Sequence, residues 1–305
     1  MKTLISFTKR NIQLFFKDMG LFLVSLITPA ILLILFVTFL GSVYENSFVS
    51  ILEKFSITAD DKIIKGMTGG QLVSSLLATS CVTVSFCSNM IMVQDKVYGM
   101  TNDFSITPVK RSTMALSYYI ATFLNTLIVC LFAMAVCLVY LACVGWYLSF
   151  ADVMLILLDV VLLTLFGTAL SSVINFFLSS QGQISAVGSI VSSMYGFICG
   201  AYMPLSQLPA WLKTFVSFLP GTYGTSLLRN HCLQGALDEL ASSAAVPGEV
   251  ADAAVKAIGE GVDCTVQFAG ADVPQYAMFI ILAGSVAVLI AVYVLLNKFV
   301  VKKKK

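Results

Sequence analysis

The sequence predicts an all-α integral membrane protein. It has six transmembrane helices, an N-terminal amphipathic interfacial helix, and a large outer loop between spans five and six. Three observations carry this reading. Hydrophobic residues make up 58% of the 305 positions and charged residues 11%, with mean hydropathy +0.93, whereas a soluble domain carries about a quarter charged residues. The charges are gathered between apolar runs, several of them about the ~20 residues that cross a bilayer. Lys and Arg are also segregated, twelve in segments assigned to one side and six to the other, while most acidic residues lie with the smaller set. By the positive-inside rule this gives a single multi-pass domain, residues 1–305, in the plasma membrane with both termini cytoplasmic.

Residues 1–18 place Lys2, Lys9, Arg10, Gln13 and Lys17 on one helical face and Leu4, Ile5, Phe7, Ile12, Leu14, Phe15 and Phe16 on the rest. That pattern predicts a helix lying in the inner membrane interface, against lipid. The apolar run that follows is too long for a signal-peptide core and lacks a small-residue cleavage site. The expected spans are residues 20–43, 71–93, 113–143, 153–178, 184–203 and 276–297. Residues 44–70 read as a polar outer loop, and residues 204–275 as the large outer loop with short helices. Ser179, Ser180, Gln181, Gly182 and Gln183 form the only turn-like break between spans four and five. Tyr44, Trp146, Tyr147, Tyr202, Trp211 and Tyr276 all fall at outer ends, as an aromatic belt requires.

Several chemistries are excluded. No Gly-x-x-x-x-Gly-Lys-Ser/Thr run occurs, so the chain binds no ATP as a P-loop protein does. The only histidine is His231 and no Cys-x-x-Cys occurs, which leaves a zinc-type site without support and no catalytic residue to name. Nothing points to nucleic acid. Six of the eight cysteines, Cys81, Cys87, Cys130, Cys137, Cys143 and Cys199, lie in apolar runs as small packing residues. Cys232 and Cys264 fall in the outer loop, where oxidation is permitted, and either a disulfide between them or two free thiols fits. Asp159 is the one acidic residue inside a span, about 10 Å along its helix from Asp152. Intramembrane carboxylates face a cavity or a partner, so a substrate contact and a structural hydrogen bond both remain open.

Residues 94–112 are a charged island between two long apolar runs and cannot enter lipid cheaply. Thr101 suits an N-cap, Asp103 stands in the first turn behind it, and Pro108 disfavours helix at Thr107. A short cytoplasmic surface helix followed by Lys110 and Arg111 is expected, and an ordinary solvated connector satisfies the same observations.

The run Asp95, Lys96, Gly99, Asp103, Phe104, Thr107, Pro108 and Val109 resembles the cytoplasmic loop of type-two ATP-binding-cassette (ABC) exporter permeases. The match departs at Met100, where the family often has Thr, and at Asp95-Lys96, where Glu-Arg is common. A second patch, Gly200 to Leu205, then Leu208 to Trp211, Leu219-Pro220 and Leu228-Arg229, stands in the order the family uses. The resemblance covers nearly the whole chain. It implies an ABC-2 type permease that pairs as a homodimer or with a paralogous permease and sits on ABC ATPase subunits holding ATP and Mg, with no cofactor on this chain. It further implies that Asp95, Lys96, Gly99, Asp103, Thr107, Pro108, Lys110 and Arg111 meet the ATPase, and that a drug, peptide, natural product or glycolipid is moved outward.

Two spans carry small residues at fourfold spacing, Gly188, Ser192, Gly196 and Gly200 in the fifth and Ser75, Thr79, Thr83 and Cys87 in the second. Such ridges let helices approach closely. Packing within the chain accounts for them, and the resemblance assigns them to the substrate path or dimer interface together with Asp159. An ATP-independent secondary transporter or channel is the rival reading. No inverted repeat with broken helices supports it.

Overall fold

The computed structural model describes residues 2–101, 109–198, 200, 202, 204–205, 208–243, 248–268 and 271–299, with the backbone alone at 192 and 299. Helix α1 (Lys2–Lys17) is amphipathic and buries Thr8, Asn11 and Phe15. Asp18 ends it and caps the next helix, its carboxylate accepting from the backbone N–H of Leu21 at 3.1 Å. Helix α2 (Met19–Leu35), a π-helical turn (Phe36–Leu40) and α3 (Gly41–Lys54) form one continuous helix, Met19–Lys54. Then come α4 (Asp61–Val97), α5 (Arg111–Val144), α6 (Phe150–Phe177) and α7 (Gln181–Ile198). The rest comprises α8 (Ala210–Ser217), α9 (Pro220–Ser243), α10 (Gly248–Gly261), a two-residue antiparallel hairpin (Gln267–Phe268 with Ala271–Asp272) and α11 (Gln275–Phe299).

Among the described residues five helices are long and apolar enough to cross a membrane: Met19–Lys54, α4, α5, α6 and α11. The expected fifth span falls on α7, whose 18 residues rise about 27 Å. Its two glutamines and four serines keep it below the hydropathy of the other five.

Two expected loops are mostly helix. Residues 44–70 hold the end of α3 and the start of α4, and only residues 55–60 turn the chain. Tyr44, Phe48 and Leu52 recur at fourfold spacing and bury one face of α3, so the helix continues where the mean hydropathy falls. Hydropathy marks where a chain leaves hydrocarbon, not where its helix stops. Residues 204–275 likewise contain the 24-residue α9, which is buried over most of its length against α4, α6 and α11. Its polar side chains mask it from a hydropathy reading, yet they find partners inside the protein.

Helix α4 is the centre of the bundle. Its most apolar window is 94% buried, against 22% for α5 and 17% for α11. The outer faces of α5, α6 and α11 carry exposed Phe132, Val139, Phe150, Ile280 and Val288, which suits hydrocarbon around them. Inside, Thr68, Thr79, Ser80, Thr83 and Ser85 return their hydroxyls to carbonyls four residues back, which satisfies them without water. Close approach is needed at Gly167, where a Cβ would stand 2.8 Å from the Cys81 carbonyl oxygen of α4.

Candidate functional site

The cytoplasmic reading of residues 94–112 directs attention to the end of α4 and the start of α5. Asp95 is buried there and accepts both guanidinium arms of Arg10, at 2.7 and 2.9 Å. The Tyr118 hydroxyl donates to the same carboxylate. One side chain of α4 thus holds α1 and α5 together. The hydrogen-bonded carboxylate also raises the Arg10 pKa above its usual value, because it favours the charged guanidinium.

The next residue faces another way. Lys96 Nζ donates to the carbonyl oxygens of Phe176 at 2.9 Å, Asn175 at 3.2 Å and Leu178 at 3.4 Å. It lies 5.4 Å from the centroid of the Phe176 ring. These carbonyls lie at the C-terminal end of α6, where a cation is favoured. The sequence placed Asp95 and Lys96 in a solvated surface loop, whereas both side chains bond within the chain. Their side chains turn inward because α4 runs on past the apolar stretch and meets three neighbours there.

The chain leaves α4 through Gly99, two residues past its end, whose φ of +78° lies in the left-handed region that glycine enters without strain. Lys110 and Arg111 begin α5 and are exposed. Tyr98 is 73% exposed and Met100 41%. Asp103, Thr107 and Pro108 lie outside the described residues.

Ser75, Thr79 and Thr83 are 2%, 0% and 1% exposed within the single chain. They belong to the core of the bundle and form no outer face for a second copy, because α2, α5, α6 and α9 surround α4. Beside them runs a polar seam whose partners on other helices the sequence alone does not pair. The Asn89 amide donates to Ser171 and Ser172 at 3.2 Å each, and Asn125 donates to Ser88 at 3.0 Å. The asparagines inside apolar runs were the available signal.

Gly188 faces α4, where a Cβ would come 2.7 Å from the end of Met90. Gly196 underlies the ring of Tyr202, which packs edge-on against Phe197 at 5.0 Å. Gly200 has φ +72° and its carbonyl accepts from Arg229. The side chain of Ser192 is not among those described. The ridge thus serves contacts inside the chain at Gly188, Gly196 and Gly200, while Ser185, Ser189 and Ser193 are exposed beside it.

Asp159 is fully buried, with Oδ2 2.6 Å from His231 Nδ1. His231, placed by sequence in an outer loop, sits on α9 and stacks on Phe279 of α11, ring centroids 6.0 Å apart. Nearer the α10 end, buried Arg229 meets Asp263 at 3.2 Å. Cys232 and Cys264 are both buried free thiols, so the possible disulfide is not formed. Among the described residues no three His, Cys, Asp or Glu side chains gather as metal ligands would.

A helical bundle with apolar outer faces and inward-turned polar side chains defines a polytopic membrane protein. A family model for ABC-2 type transporters matches residues 3–232. The chain belongs to that family and is a multi-pass membrane permease of an ABC transporter, a class whose general partner is an ABC ATPase. No curated protein matches it by sequence.

Proposed function

We propose that this chain is the transmembrane subunit of an ATP-driven exporter that moves an amphipathic or lipid-like substrate outward, with ATP and Mg bound on a separate ATPase. The observation that carries the reading is the attachment of Asp95 and Lys96 to α1, α5 and α6. A push on the connector between α4 and α5 reaches four helices at once. In this reading Gly99, Asp103, Thr107, Pro108, Lys110 and Arg111 form or shape the surface that meets the ATPase. The α7 segment crosses as the fifth of six spans, both termini are cytoplasmic, and the exposed serine ridge of α7 faces a second permease, identical or paralogous.

A groove of about 750 Å³ between Met19–Lys54 and α7 supports an amphipathic substrate. Its walls are apolar, including Ile31, Phe39 and Phe197, and it carries the hydroxyls of Thr28, Ser47, Ser189 and Ser193. The test is reconstitution in vesicles with the ATPase that copurifies, following ATP-dependent movement of a fluorescent amphipathic dye. Equal movement without any ATPase would replace the exporter by an ATP-independent carrier or channel.

A further inference from the structure

The two charged residues at the end of α4 do different work, and both bond within the chain. Asp95 binds Arg10 through two hydrogen bonds and Tyr118 through a third, and it is 5% exposed. The contact joins positions 85 residues apart in sequence. It is the described ion pair that attaches α1 to the bundle. Arg10 also bonds its neighbour Asn11 at 2.9 Å, which fixes the guanidinium plane opposite the carboxylate. Bidentate charge-assisted pairs of this kind hold orientation as well as distance. Lys96, one residue on, is rotated about 100° around α4 and seals the open end of α6.

We infer that Arg10, Tyr118 and Lys96 are positioning residues that make the end of α4, at Asp95 and Lys96, a lever with two arms. The arm through Asp95 carries α1 and α5 as one body. The arm through Lys96 carries the end of α6. Without the first, the end of α4 moves while α1 stays. Without the second, it moves while α6 stays. This rests on the exporter reading proposed above, because it assigns how the stroke of an ATPase is divided among the helices.

Two measurements test it. The first needs no ATPase: amide hydrogen exchange of the full permease in lipid nanodiscs. Arg10→Gln should speed exchange across residues 2–17 about tenfold and leave α6 unchanged, since local opening follows the bonds that close a segment. Lys96→Met should speed exchange only near residues 175–178. Arg10→Lys should give an intermediate result, and the swapped pair Arg10→Asp with Asp95→Arg should restore protection of α1. The swap keeps the measurement meaningful where a single change perturbs insertion. Unchanged protection of α1 in Arg10→Gln would overturn the tie.

The second uses the complex with its copurified ATPase and a cysteine placed at Ser189, with Cys143 replaced by Ser. ATP should change the alkylation rate at position 189 in the parent protein. Arg10→Gln and Lys96→Met should hydrolyse ATP at near the parent rate while that response is lost, and the swapped pair should recover it. A purely structural contact would lower hydrolysis and response together, which overturns the lever. So does an intact response in a variant whose α1 has lost protection. A parent complex with no ATP response sinks the exporter reading instead, and the exchange result tells the two failures apart.

Discussion

Asp159 Oδ2 stands 2.6 Å from His231 Nδ1, joining α6 to α9 where neither side chain is more than 7% exposed. The pair explains how a helix as polar as α9 stays inside the bundle. Its histidine meets the one carboxylate of α6 beyond the first turn and a ring of α11. The sequence left a substrate contact and a structural bond both open for Asp159, and the geometry favours the second. His231→Ala strands a buried carboxylate, which costs about 3–5 kcal/mol when a buried pair is broken. Asp159→Asn keeps a hydrogen-bonding group and should cost less. Unfolding of the purified protein in detergent should rank the parent above Asp159→Asn, and that above His231→Ala. Equal midpoints for all three would show that the pair contributes nothing.

Two glycines that look alike in sequence should respond differently to alanine. At Gly167 a Cβ meets the Cys81 carbonyl oxygen at 2.8 Å, and backbone on a packed central helix cannot step aside. At Gly188 the obstacle is the terminal methyl of Met90 at 2.7 Å, the far end of a flexible side chain. Gly167→Ala should therefore destabilise by about 1–3 kcal/mol, the usual cost of overpacking. Gly188→Ala should stay within about 0.5 kcal/mol. Thermal unfolding of both variants decides it, and a reversed order would mean that α7 and not α6 makes the tighter contact with α4.

The helical membrane class was legible because composition and charge segregation are whole-chain properties, and four of the apolar runs between residues 71 and 297 coincide with long helices. Helix ends were not legible. Residues 44–54 are helical through Tyr44, Phe48 and Leu52, a spacing present in the sequence but overridden by nearby charges. The burial of α9 could not be read at all, since its mates are Asp159, far back in the chain, and Asp263, beyond a further helix. The same holds for Asp95. A carboxylate in a charged island looks exposed until Arg10, 85 residues earlier, is known to lie against it. The polar seam around Asn89 and Asn125 was present as a pattern of asparagines and serines, but which helices it joins depends on the packing.

Cys232 and Cys264 are placed as free thiols in interior positions, and burial pushes the Cys264 thiol up to about 12. A raised pKa keeps the thiol protonated, so at pH 8 almost none of Cys264 carries the reactive thiolate. Folded protein should resist alkylation at Cys264 at that pH, and resistance should weaken only as pH climbs toward 12. Denatured, unreduced protein should take up alkylating agent at both positions. Mass analysis that finds Cys232 and Cys264 blocked until a reductant is added would restore the disulfide and contradict the structure here.

Charge reversal separates the two halves of the charged island. Arg111 is exposed at the first turn of α5, and Asp95 is buried two residues before the end of α4. Arg111→Glu changes a solvated group, so stability should move by no more than about 0.5 kcal/mol. It also places an anion at a helix N-terminus, which the helix dipole favours. Asp95→Lys puts a cation against Arg10 in a closed site and removes the acceptor of Tyr118, at a cost of about 3–5 kcal/mol by analogy with broken buried pairs. The first variant should purify as a monodisperse peak at the parent yield, and any defect should appear as weaker copurification of the ATPase. The second should lose folded protein before any partner is added. Fluorescence-detected size exclusion of both, with and without the ATPase, reads the two effects separately. If Asp95→Lys gave a normal peak and lost only the ATPase, Asp95 would be a contact residue after all, and its pairing with Arg10 would not hold the permease together.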